Sequence, residues 1–182
     1  MGVEDFPWVG GRPSLDLCNT AAGGPDLIDD ETALSAWLTA AGCAKAAQPP
    51  GDADVARIRR LRDDLRDGFI ARDPGAMAEI LDGWLRATSG HLSVDRETLQ
   101  PAFRADPSTF GCVITPILLD ALTIVRDGMD RVRVCAADDC SMLFLDCSRN
   151  GSRRWCSMDR CGSRAKANAY YERKRAERGP GR

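Results

Sequence analysis

Histidine and long apolar runs are nearly missing from this sequence. Its 182 residues include a single histidine, His91, and aromatic residues make up only 6% of the chain. No run reaches about 18 consecutive apolar residues, the length that marks a membrane-spanning helix. We therefore expect no membrane partner.

Catalytic signatures are missing as well. The sequence contains no phosphate-binding P-loop, no dinucleotide-binding glycine motif and no nucleophile elbow. His91 lies in a segment that could form a hairpin, where a surface or structural role is commoner for histidine than catalysis. The sequence therefore predicts a protein that is not an enzyme.

The first residues, MGVEDFPWVGG, lack the basic start and the apolar stretch of a secretory signal peptide. We therefore expect a cytoplasmic location. In that reducing compartment the eight cysteines would be thiols and metal ligands rather than disulfides. Cys18, Cys43 and Cys112 lie among apolar residues, which indicates core thiols.

Hydrophobic periodicity predicts a mainly α fold (α+β) with a minor β element. Helices are expected over about residues 31–42, 53–71, 74–88 and 116–129. The last of these, opened by Pro116, is apolar almost all round, which indicates a buried central helix. Residues 91–95 and 98–104 could pair as a hairpin. The segment SLDLCNTA, residues 14–21, could form one or two helical turns or a short strand.

Composition divides the chain into a helical body, residues 1–130, and a second unit, residues 131–182. The second unit holds 13 Lys and Arg against 6 Asp and Glu, whereas the body holds 12 against 21. An acidic body with a basic tail is typical of proteins that contact nucleic acid. The alternative is that the two parts attract each other or that the tail is merely solvated.

The second unit contains two cysteine pairs in the pattern C-x4-C-x15-C-x4-C, formed by Cys135, Cys140, Cys156 and Cys161. Two close pairs at this separation favour a tetrahedral Zn²⁺ site, with an iron–sulfur cluster or no metal as alternatives. Four thiolates leave no open position on the ion, so the site would be structural. The spacing excludes a C-x-x-C redox pair.

A treble-clef-like zinc finger follows from the segment between the pairs. Residues 142–146 resemble a strand, Asn150-Gly151 marks a turn, and residues 153–155 could return as the partner strand. Cys147 lies in the predicted turn and is expected to be a spare, partly exposed thiol.

The segment CAADDCSMLFLDCSRNGSRRWCSMDRCGSRAKANAYYERKR resembles the CGNR zinc finger, with RRWCSM and the spacing F-x-D-x-S as matching features. Upstream, GGRPSLDLCNT and LSAWLTAAG resemble the ABATE domain that commonly precedes that finger. The resemblance implies a bacterial, stress-linked transcription regulator whose zinc finger binds DNA. Ser163 replaces the Asn of the naming tetrapeptide, and we expect it to cap the last helix.

The last helix, about residues 163–178, is expected to bind nucleic acid. Its residues at i, i+4, i+7 and i+11 form one face that could enter a groove of DNA. The predicted contacts are Arg153, Arg154, Arg164, Lys166, Asn168 and Arg175. One alternative is a solvated helix whose charges only keep the finger soluble. Another is a protein–protein interaction adaptor without direct DNA contact.

A polar cluster lies among apolar residues near the start of the chain, formed by Asp16, Asn19 and Thr20. These side chains could line a pocket for a small-molecule effector. The alternative is that they cap a buried turn. The helical body could also form a homodimer.

Overall fold

The computed structural model describes residues 5–43, 49–107 and 109–177. Within these ranges the fold is mainly helical with two small antiparallel sheets, as predicted. The helices are α1 (Pro13–Cys18), α2 (Glu31–Ala40), α3 (Asp52–Ala71), α4 (Pro74–Arg86), α5 (Gly111–Gly128) and α6 (Ser163–Glu177). The strands are β1 (Gly90–Val94), β2 (Pro101–Ala105), β3 (Val132–Val134) and β4 (Leu143–Leu145). No helix in the described ranges combines the length and the apolar character needed to cross a membrane.

Helices α2, α3 and α4 form where the periodicity predicts them. Asp30 caps α2 by accepting a hydrogen bond from the Ala33 N–H, and Asp73 caps α4 in the same way. The apolar side chains of α3 at helical spacing are buried in the main core, as expected: Val55, Ile58, Leu61, Leu65 and Phe69.

Helix α5 begins five residues before the predicted start, so Pro116 lies inside the helix. Proline removes one backbone hydrogen bond, but the first turn also buries Val113 and Ile114. Burial of two large side chains, about 2 kcal/mol each, outweighs that loss. The helix is buried along much of its length, as expected, but Leu119 and Leu122 on its outer side are 39% and 40% exposed.

The segment SLDLCNTA adopts the helical alternative. It forms α1 and a following 3₁₀ turn over Asn19–Ala21. Leu15, Leu17 and Cys18 are fully buried, so this short helix lies inside the core. Asp120 of α5 fixes its start by accepting hydrogen bonds from the Ser14 N–H and hydroxyl.

The predicted hairpin is confirmed as β1 and β2, which pair antiparallel with Leu92 opposite Phe103. Its outer surface is open to solvent, since Leu92 and Val94 are 79% and 63% exposed. His91 lies exposed on β1, away from the cysteine cluster described below.

The finger differs from its predicted strand pairing. Strand β4 forms within residues 142–146 as expected, but it pairs with β3, whose Val134 lies opposite Leu143. Residues 153–155 are not a strand and contribute one backbone bond, from the Ala136 N–H to the Arg154 carbonyl. The turn at Asn150-Gly151 is present, with Gly151 at φ +60°. The knuckle between the first two cysteines is therefore the loop of the β3–β4 hairpin.

Strand β4 is also fixed to the helical body along its other edge. The Leu145 N–H donates to the Gly10 carbonyl at 2.9 Å. The Asn19 side chain bonds both backbone groups of Leu143, and the Arg66 guanidinium donates to the Ser141 carbonyl at 2.7 Å. Val132 and Leu143 belong to the same apolar core as the helices. These contacts with the helical body thus fix the position of the finger.

Candidate metal centre and basic helix

The four cysteines of the two pairs converge on one point. The Sγ atoms of Cys140 and Cys156 are 3.8 Å apart, those of Cys156 and Cys161 are 3.7 Å apart, and all four lie within 4.8 Å of one another. Four sulfurs at the usual 2.3 Å from a tetrahedral zinc ion would be separated by about 3.8 Å. A disulfide requires about 2.05 Å. The spacing is therefore that of a metal site.

Each pair is held by a tight local structure. In the first pair, the Cys135 N–H donates to the Met142 carbonyl and the Cys140 N–H to the Ala137 carbonyl. In the second pair, Cys156 precedes a π-helical turn over Met158–Gly162 that carries Cys161. These bonds bend the chain around a common centre, as a tetrahedral site requires.

The cysteine cluster is largely closed to water. Cys135, Cys156 and Cys161 are buried and Cys140 is partly buried. Phe144, fully buried, forms the floor of this small second core. A structural zinc site has this enclosed character, because all four positions on the ion are taken by protein.

The four thiols lie close enough to perturb one another. Burial raises the pKa of Cys156, and the neighbouring thiols raise it further. Burial also raises the pKa of Cys161. Burial acts on Cys135 in the same direction, but backbone donors led by the Cys156 N–H outweigh it and lower the pKa of Cys135. Four thiolates cannot coexist here without a cation, and a divalent metal supplies the missing charge.

Ser163 does not cap the last helix, contrary to the prediction. Its backbone is already helical, at φ −66° and ψ −40°, because the π-helical turn leads directly into α6. The cap lies six residues earlier, where the Ser157 hydroxyl accepts a hydrogen bond from the Arg160 N–H. Cys161 thus lies inside a continuous helical segment that begins upstream of Ser163, and Cys156 lies just before that segment.

The remaining cysteines lie outside the cluster. Cys147 is exposed, in agreement with its prediction as a spare thiol. Cys18 is fully buried in the main core, and burial raises its pKa to about 12. Cys43 and Cys112 are partly buried. Among the described residues, the four clustered cysteines form the one group of three or more such ligand side chains.

Arg153 is used inside the finger. Its guanidinium donates to the backbone carbonyls of Trp155 and Cys156 and lies 4.5 Å above the ring of Phe144. These contacts brace the second cysteine pair. A positive charge close to the cluster also offsets the charge of four thiolates. DNA contact by Arg153 stays a prediction.

The other predicted nucleic-acid contacts are exposed. Arg164 pairs with Asp139 at 2.7 Å and approaches the Cys161 Sγ at 3.7 Å. The guanidinium of Arg154 lies 5.3 Å over the ring of Trp155. The structure does not gather these residues into one pocket, but it brings four of them onto one projecting helix: Arg164, Lys166, Asn168 and Arg175.

The predicted polar cluster near the start of the chain is tied into the fold. The Asp16 carboxylate accepts the Gly10 N–H at 2.7 Å, and the Thr20 hydroxyl donates to the Leu17 carbonyl at 2.8 Å. Asn19 bonds to Leu143, and both Asn19 and Thr20 line a cleft of about 360 Å³. All three side chains have the structural partners that the turn-capping alternative predicts.

Asp146 organises the finger and was missed as a site residue. It is 1% exposed, and its carboxylate accepts the N–H groups of Ser148 and Arg153. Hydrogen bonds from Ser148 lower its pKa. The motif F-x-D-x-S contained the signal, because Asp followed two residues later by Ser favours a local side-chain turn.

Taken together, the enclosed four-cysteine centre and the helical body define a zinc-finger protein. The family model "CGNR zinc finger" matches residues 131–174, which contain all four cysteines. The family model ABATE, described as "Putative stress-induced transcription regulator", matches residues 11–128. The comparison with individually curated proteins finds no match.

The chain belongs to the ABATE family, since that model covers more than half of its length, and it carries a CGNR zinc finger. The predicted resemblance to both is confirmed. Zinc is accordingly the cofactor, and the iron–sulfur alternative loses its support.

Proposed function

We propose that this protein binds DNA through α6 and thereby regulates transcription, with its zinc, held by the four clustered cysteines, in a structural and not a catalytic role. One observation carries the proposal: α6 is a basic helix that the described chain leaves uncovered. From Ser163 to Arg175, every side chain whose burial is described is exposed, apart from the partly buried Ala165. A helix without an apolar face cannot be stabilised much by packing against the rest of its own chain.

The charge of α6 indicates the kind of partner. Its exposed side chains include five cations and one carboxylate, Glu172; the cations are Arg164, Lys166, Arg173, Lys174 and Arg175. A 15-residue helix is only marginally stable alone in water. Here it is anchored at one end, through the turn that holds Cys161. An anionic surface would stabilise such a helix, and phosphate is the anion that DNA presents in regular rows.

In this proposal the predicted contacts have different tasks. Lys166, Asn168 and Arg175 have exposed side chains that can reach phosphates or base edges in the major groove. Arg164 can join them by leaving Asp139, because an exposed ion pair contributes only about 0–1 kcal/mol. Arg153 already supports the finger through two backbone carbonyls, and its contact with DNA stays a prediction.

The test replaces Lys166 and Arg175 together by Gln in the zinc-loaded full chain. We expect the affinity for a duplex of about 30 base pairs to fall about tenfold or more. The slope of log affinity against log salt should shrink by about 1.8, since each lost phosphate contact removes about 0.9. Fluorescence anisotropy at several salt concentrations measures both quantities.

The matched control replaces Arg72 and Arg96 by Gln, which removes two exposed arginines from the helical body. This control loses the same net charge without touching α6. An equal loss in the control, or an unchanged salt slope in the α6 variant, would refute the assignment of DNA contact to α6.

A protein-interaction adaptor is the second candidate. Tyr170 and Tyr171 are 48% and 69% exposed on α6, and tyrosine is enriched in protein interfaces. Fully zinc-loaded protein that shows no salt-dependent affinity for duplex DNA would favour this candidate over the first.

A further inference from the structure

A second cleft lies at the junction between the helical body and the finger. Its wall on one side is the C-terminal part of α5 with Arg12, and on the other side the loop after β4, which carries Cys147. We call it the junction cleft. Its volume of about 380 Å³ is within the range of small-molecule sites, about 300–1,000 Å³. Any occupant would touch both units of the chain.

The junction cleft contains arginine N–H groups for which the described part of the chain provides no acceptor. Arg149 is exposed and has no ion pair or side-chain hydrogen bond within the described residues. Arg131 uses one nitrogen, which donates to the Ser148 carbonyl at 3.0 Å, and pairs with no carboxylate in the described ranges. Arg12 directs Nε and Nη2 to Asp120. Several guanidinium donors are therefore free to bind an anion.

The two carboxylates of the junction cleft are already engaged. Asp127 forms two 2.6 Å bonds with Arg126. Asp146 is 1% exposed and accepts the N–H groups of Ser148 and Arg153. The charge of Asp146 acts on Arg131 through space and offsets part of it, whereas Arg149 has no carboxylate partner among the described residues.

The lining also includes two large apolar side chains. Ile124 and Leu145 face the junction cleft from α5 and β4. An inorganic anion would leave this surface unused, whereas a molecule with an acidic group and a short apolar body would cover it. Arginine binds planar carboxylates with two parallel hydrogen bonds.

The junction cleft is joined to both zinc-binding pairs by short stretches of chain. Arg131 directly precedes β3, and β3 ends next to Cys135. Asp146 binds the Arg153 N–H, and the Arg153 guanidinium donates to the Cys156 carbonyl. A ligand that moves Arg131 or the loop after β4 thus acts on the support of the zinc site.

We propose that the junction cleft binds a small carboxylate with an apolar body, and that its occupancy alters the DNA affinity of the finger. The regulatory half rests on the proposed DNA-binding function, whereas ligand binding itself does not. The ligand site is distinct from the predicted pocket at Asp16, Asn19 and Thr20.

The binding test uses benzoate as probe with the zinc-loaded full chain. Benzamide, its neutral counterpart of the same shape, and inorganic phosphate, an anion without an apolar body, are the comparators. We expect benzoate at millimolar concentration to shift the backbone amide NMR signals of residues 146–149. Arg149→Gln should weaken binding about tenfold, and the exposed Arg96→Gln should leave it unchanged. Equal binding of benzamide or of phosphate, or no effect of Arg149→Gln, overturns the proposal.

The regulatory test repeats the DNA titration with and without saturating benzoate. A severalfold change in the DNA affinity of the wild type that disappears in Arg149→Gln supports the proposal. If benzoate shifts residues 146–149 but the protein has no DNA affinity, the proposed function fails while the carboxylate site stands. If DNA binds and benzoate shifts no signal of the junction cleft, the site fails and the proposed function stands.

Discussion

Replacing Asn19 by Ala should loosen the zinc finger and the helical body together. The Asn19 side chain accepts the Leu143 N–H at 2.7 Å and donates to the Leu143 carbonyl at 2.9 Å. Asn19 is 1% exposed and Leu143 is fully buried. Alanine would leave both backbone groups of Leu143 buried without these partners.

The magnitude follows from those two bonds. A buried donor or acceptor that loses its partner costs about 1–3 kcal/mol, so Asn19→Ala, which orphans two groups, should lower the free energy of unfolding by about 2–6 kcal/mol. For a chain of this size each kcal/mol lowers the midpoint of thermal unfolding by about 2–4 °C, so the midpoint should fall by about 4–24 °C. Asn19→Asp should cost at least as much, because a carboxylate oxygen would face the Leu143 carbonyl.

Two probes on zinc-loaded protein measure the effect: helical circular dichroism, and zinc release detected by a metal-binding dye. Both should report one shared transition, since Val132 and Leu143 of the finger belong to the core of the helices. Asn168→Ala, on exposed α6, is the matched control and should change stability by less than about 0.5 kcal/mol. A comparable loss in that control, or zinc release well before helix unfolding, would refute the reasoning.

Two further predictions concern thiols and pH. Cys156→Ser should abolish stable zinc binding, whereas Cys147→Ser should retain one zinc per chain, as metal analysis after gel filtration will show; loss of zinc in the second variant would contradict the ligand set. Burial raises the pKa of the Asp16 carboxyl to about 6. The protonated carboxyl therefore stabilises the fold fully below the pKa of Asp16 in the unfolded chain, and this stabilisation is lost as the pH rises through the pKa in the folded protein. Between pH 5.5 and pH 7.5, the stability of Asp16→Asn relative to the wild type should therefore rise by about 1 kcal/mol, as measured by urea unfolding. If the free energies of unfolding of the two proteins ran parallel over this pH range, the raised pKa would be contradicted.

The sequence predicts the helices well because their signal is local. Helix α3 repeats apolar residues over twenty positions with polar residues between them, so its buried face can be identified without knowledge of its neighbours. The start of α5 was predicted wrongly because Pro116 is a strong local signal that tertiary burial of Val113 and Ile114 overrides.

The finger was predictable in its ligands and less so in its strands. The cysteine spacing restricts which side chains can meet. Strands of three residues, such as β3 and β4, are too short to carry a pattern, and the turn at Asn150-Gly151 suited a pairing that does not form. Similarly, charge alone cannot distinguish Arg153 from Arg154. The Arg153 guanidinium donates to backbone carbonyls of the finger, whereas that of Arg154 lies over the Trp155 ring.

The shared core changes how the two family regions should be understood. The family models match residues 11–128 and 131–174 separately, yet β4 has the knuckle of the zinc site on one side and the backbone of Gly10 and the side chain of Asn19 on the other. A signal that reaches the body therefore need not travel along a linker to affect the finger. It needs only to move the support of β4, and that support is built from the same residues that give the body its stability.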